Sequence, residues 1–235
     1  MCRLTWMYGT MKNRRNIMKM KCAKNVVISS LFLLTGFSGT VDAMQFSQPI
    51  RVGSYYNARA GGPSLARGDG YSKMTKDRCI FGKGDQALTF THKNIYSSVR
   101  NGRVLGASTC TGVYVGKQKV EKLSHLNGTI YRILGDHGEV FYFVYGGASV
   151  ERDFALIGLC EGSYYHAIGM NDLNSYIGQD LRFIDSSDAL QLSAPETFGD
   201  EIRVQVMDFH KNIVGQFIFL WDESAKWFGI NYQSY

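Results

Sequence analysis

The chain has 235 residues, 45% of them hydrophobic, 13% aromatic and 20% charged, with a formal net charge of +6 at pH 7. The first 43 residues hold seven Lys/Arg and one acid, whereas residues 44–235 hold 19 basic and 19 acidic side chains. That balance argues against nucleic acid as a partner, and the length allows one domain with a sizeable core or two small ones.

Met18-Lys19-Met20-Lys21-Cys22-Ala23-Lys24 leads into an apolar run from Val26 to Phe37, and small or branched residues follow at Val41-Asp42-Ala43. A charged start, a short apolar middle and a polar end with a cleavable site predict a secretory leader over residues 1–43. Translation from Met18 or Met20 gives it a more ordinary length. The apolar run is short of the roughly 20 residues of a membrane-spanning helix. No later stretch is long enough either, so the expected product is exported, secreted or periplasmic, with no transmembrane span.

Residues 44–76 read as an extended N-terminal segment. Tyr55-Tyr56-Asn57-Ala58-Arg59-Ala60-Gly61-Gly62-Pro63 mixes turn formers with exposed-looking tyrosines. Residues 77–235 read as a single β-rich domain: the chain has 26 Gly, 14 Tyr and 14 Phe, and no long helical stretch. Strands are predicted over Ala87–Thr91, Ile95–Arg100 and Arg103–Ala107, the last two joined by the hairpin signal Asn101-Gly102. Thr111–Val115 follows, then Thr129–Leu134 and Glu139–Tyr145 around a turn at Gly135-Asp136-His137-Gly138, then Ala155–Leu159 and Tyr164–Ile168. Met170, Leu173 and Ile177 recur at helical spacing, with Asn171 or Asp172 available as a cap. Ile202, Val204 and Val206 alternate with Arg203 and Gln205, before strands over Gly215–Trp221 and Trp227–Tyr232.

The expected fold is mainly β, an antiparallel sheet sandwich or partly open barrel with one short helix. Asp/His turns followed by Phe-x-Phe strands (Phe141/Phe143 and Phe217/Phe219) raise the option of two similar half-domains. Charge divides the same region unevenly. Met44–Arg132 holds 14 basic and four acidic residues, and Ile133–Tyr235 holds five and 15. The halves either neutralise one another or present a dipolar surface to an anionic partner.

Cys79, Cys110 and Cys160 follow the leader, and export permits disulfides. Cys110–Cys160 is the expected pair, because both lie beside strand-like runs. The competing reading is a thiolate nucleophile. Cys79 follows Lys76-Asp77-Arg78, which would lower its pKa, Cys110 lies among small hydroxyl residues, and His166, or His137 beside Asp136, would serve as base. His92, His125, His137, His166 and His210 lack common zinc-ligand spacing, so neither a metal nor a cofactor is expected. Arg67-Gly68-Asp69 has the form of an adhesion tripeptide, and Asn127-Gly128-Thr129 that of a glycosylation acceptor.

These features predict a soluble binding or interaction protein. Tyr55, Tyr56, Arg59, Arg67 and Lys73, on exposed loops, would engage a protein, a glycan or another anionic surface ligand. The alternative is a secreted hydrolase or transferase with a His-based active site.

Overall fold

A computed structural model describes residues 43–56, 64–69, 72–75, 77–93, 98–100, 103–106, 109–120, 126–148, 151–160, 163–182 and 189–235. Three antiparallel sheets stack in layers. The middle sheet has eight strands: β1 (Ile50–Tyr56), β2 (Ser64–Gly68), β6 (Ser98–Arg100), β7 (Arg103–Gly106), β10 (Gly128–Leu134), β11 (Val140–Ala148), β12 (Glu151–Cys160) and β13 (Ser163–Gly169). Their spatial order is β13-β12-β11-β10-β1-β2-β7-β6. One face is covered by a five-stranded sheet of β3 (Ser72–Met74), β4 (Arg78–Phe81), β5 (Leu88–Lys93), β8 (Thr109–Val115) and β9 (Gln118–Val120). The other is covered by the C-terminal sheet of β14 (Gln191–Leu192), β15 (Glu196–Phe198), β16 (Glu201–Met207), β17 (Ile213–Asp222) and β18 (Trp227–Ser234). The architecture is a layered sandwich, with no closed barrel among the described residues.

The sequence of β11 explains the layering. Its run Val140-Phe141-Tyr142-Phe143-Val144 has no polar alternation, because successive side chains point to opposite faces and both faces are buried. Val140, Tyr142 and Val144 join Tyr55, Ile130, Ile157, Phe81, Leu88, Phe90 and Val113 in a first core beneath the five-stranded sheet. Phe141 and Phe143 join Ile133, Phe154, Leu156, Val204, Phe217, Phe219, Trp221 and Phe228 in a second core beneath the C-terminal sheet. That outer sheet has one wet face, and β16 alternates accordingly: Ile202, Val204 and Val206 are buried while Arg203 and Gln205 are partly accessible. The two Phe-x-Phe strands thus belong to different sheets and meet across one core, with Phe154 of β12 stacked on Phe219 at 6.0 Å.

The one α-helix among the described residues, α1 (Met170–Ile177), buries Met170 and Leu173 in the second core. The Gly169 N–H donates to the Asp172 carboxylate at 2.7 Å, which caps the helix start. Gly178, at φ 72, ends it in the left-handed region. No helix among the described residues is long and apolar enough to cross a membrane.

The described part of residues 44–76 is woven into the sheets. β1 runs between β10 and β2 in the middle layer, and Met44 and Phe46 enter the second core. Phe46 packs edge-on against Phe141 at 5.6 Å.

Candidate functional site

Alternation along β4 points Arg78 outward and Cys79 into the first core. Cys79 Sγ lies 3.7 Å from His92 Nε2, which shares a 3.2 Å hydrogen bond with the Tyr55 hydroxyl. Tyr55 stacks on Phe90 at 4.0 Å, and His92 stands in register with Cys110. The histidine brought to Cys79 is therefore His92, and only pairing of β4, β5 and β8 makes that visible. Burial, helped by the nearby Cys110, pushes the Cys79 thiol up to about 12. Burial also raises Cys110, although its thiol donates to the Gly112 carbonyl at 3.5 Å, and it lowers the pKa of His92.

Several expectations change here. Arg78 does not activate Cys79, because the strand separates cation and thiol onto opposite faces, and a protonated buried thiol is a poor nucleophile. Cys110 carries a free thiol, so the expected Cys110–Cys160 bridge is absent; Cys160 ends β12, and its side chain lies outside the described residues. Tyr55 is fully buried, 0% exposed, and not a displayed ligand contact. Tyr56 is half-buried, and Arg59 lies outside the described residues. His166 lies on β13, its side chain outside the described residues. Asp136 and His137 occupy the exposed β10–β11 turn, an Asp136 carboxylate oxygen 3.9 Å from His137 Nε2.

Both short motifs are also occupied structurally. The Asn127 side-chain amide is buried and donates to Asp153 at 2.7 Å. Asp69 pairs with Arg51 at 3.2 Å and Arg67 at 4.0 Å, so Arg67-Gly68-Asp69 is held at the end of β2.

The positive charge gathers on and beside the five-stranded sheet. Its segments, 72–93 and 109–120, hold seven Lys/Arg and two acids, whereas 191–235 in the C-terminal sheet hold three and six. Lys73, Arg78, Thr89, Thr91, Tyr114 and Lys119 share its outer face by register. Arg78, Thr89, Thr91, Tyr114 and Gly116 line an open cleft of about 330 Å³ there. The Thr91 hydroxyl is oriented by the Gly112 carbonyl at 3.2 Å and the Thr111 hydroxyl at 3.1 Å. A second cavity, about 160 Å³, is lined by Ile50, Val52, Gly82, Arg132 and Leu134. Among the described residues, each of these linings contains an arginine and no carboxylate. At the sheet edge the backbone register sets Arg67 opposite Arg103 and Arg103 opposite Arg100. Of the residues expected to bind, Lys73 lies on the cleft-bearing face and Arg67 on β2 of the middle sheet. Arg78, Tyr114 and Lys119 join that face only once β3, β4, β8 and β9 are known to pair. No family model, curated protein or solved structure matches the chain.

Proposed function

We propose that this chain is an exported binding protein that receives an anionic ligand on the outer face of its five-stranded sheet. The carrying observation is the cleft at Arg78, Thr89, Thr91 and Tyr114, flanked on the same face by Lys73 and Lys119. It combines a cation, hydroxyl groups and one aromatic ring. Such a set suits a sulfated or carboxylated glycan: charge draws the ligand in, hydroxyls hydrogen-bond to it, and a ring packs on a sugar face. The leader-like residues 1–43 support export. The protonated Cys79 thiol counts against the Cys-His form of the hydrolase or transferase reading.

The test is a titration with a sulfated oligosaccharide and its desulfated counterpart. The sulfated form is expected to bind with an affinity that falls as salt rises. Lys73→Glu/Arg78→Glu should weaken it roughly tenfold, given about 0.2–1 kcal/mol per exposed pair lost and similar repulsion gained. Lys211→Glu, in the β16–β17 turn of the C-terminal sheet, should leave it unchanged. Equal affinity for both sugars, or indifference to the double reversal, would contradict the reading.

A further inference from the structure

The β10–β11 turn holds a donor set separate from the basic face. One carboxylate oxygen each from Asp136 and Glu139 and one ring nitrogen of His137 lie within 4.8 Å of one another. Asp136 and His137 are exposed, their side chains 37% and 49% accessible. Glu139 differs: it is 5% exposed, and its Oε2 is buried without a hydrogen-bond partner. A carboxylate removed from water in this way calls for a counter-charge.

The backbone presents these groups from a fixed frame. The Gly135 N–H donates to the Glu139 carbonyl at 2.9 Å, and the Asp136 N–H donates to the Gln45 carbonyl at 3.1 Å. The Gln86 side-chain amide reaches the Gly138 carbonyl at 3.4 Å. Gly135 also keeps room for the buried acid, since a Cβ there would stand 2.6 Å from Glu139 Oε2.

We propose that Asp136, His137 and Glu139 bind one divalent transition-metal cation of the zinc class. Two carboxylates supply the charge that neutralises the ion, and the imidazole selects it over Mg²⁺ and Ca²⁺, which favour oxygen ligands throughout. Zinc–ligand bonds of about 2.0–2.2 Å in a tetrahedron set donors roughly 3.3 Å apart. The exposed Asp136 and His137 side chains rotate inward to reach that spacing, while Glu139 is the fixed anchor. The fourth position is left to water.

Calorimetric titration of the chelator-stripped full chain with Zn²⁺ alone tests the site. The expected result is an equivalent of zinc that His137→Ala and Glu139→Gln each weaken roughly tenfold or more, with circular dichroism unchanged. His210→Ala, an exposed histidine in the β16–β17 turn, should bind as the parent does. The His137 change lies on an exposed side chain and the Glu139 change is isosteric, so at least one variant retains the fold. Absence of a stoichiometric equivalent overturns the proposal. So does an equivalent that survives both substitutions, which would place the ion elsewhere, for example on thiols.

Discussion

Cys79 and Tyr142 stand on the two sheets that enclose the first core, and each holds its proton more tightly than it would in water. Desolvation is the main cause for both, raising each to about 12. The Tyr142 hydroxyl also donates to the Gln86 carbonyl at 2.7 Å. Their ordinary values are 9.0 and 10.0, so the unfolded chain releases these protons first as pH rises. The stability they contribute is fully present below those ordinary values and is lost as pH climbs through them towards 12. The urea midpoint should therefore hold steady up to about pH 9 and fall beyond it. Cys79→Ala should flatten that fall. A midpoint constant from neutral pH to pH 11 would show that neither group is buried as described. At this scale the sequence was a poor guide. Lys76-Asp77-Arg78 read as an activating neighbourhood for Cys79, but side chains one residue apart on a strand point to opposite faces. Tyr55 likewise looked displayed among turn formers, and nothing local in the chain announces the Phe90 ring that covers it.

Elements were easier to read where the residue pattern itself shows what covers each face. β16 alternates because one of its faces is wet, and β11 runs apolar because neither is. α1 occupies the predicted Met170–Ile177, since its apolar spacing and the Asp172 cap are local properties. β1 and β4 were missed for a common reason. Ile50–Tyr56 contains Gly53 and Ser54, and Arg78–Phe81 follows charged residues, so their strand character comes from distant partners. β1 pairs with β10, setting Tyr55 opposite Gly128. That glycine is required by close approach: it has φ +142, and a Cβ would lie 2.2 Å from the Tyr145 carbonyl carbon. Gly128→Ala should destabilise the protein by roughly 2 kcal/mol or more, combining backbone strain with overpacking. Chemical denaturation measures it, and a change within error would mean that β10 and β11 are not this close.

Across the whole molecule, the outer sheets divide the charge, while both halves of the chain contribute strands to the middle sheet. Residues 72–93 and 109–120 build one outer sheet and residues 191–235 the other. The eight-stranded sheet lies between them, with a hydrophobic core on each side. Pairs such as Arg78–Asp77 on one side and Arg203–Glu201 on the other join close sequence neighbours. Charge counting reveals the asymmetry, but not whether the halves face each other; that depends on which strands share a sheet. The arrangement leaves one outer face basic, and this is the surface to which an anionic ligand is assigned. Hydrogen–deuterium exchange with and without a saturating sulfated oligosaccharide tests the assignment most directly. The account predicts slowed exchange in β4, β5 and β8 around Arg78, Thr91 and Tyr114, with β16, β17 and β18 unchanged. Protection confined to the C-terminal sheet, or absent from β4, β5 and β8 in a saturated complex, would contradict it.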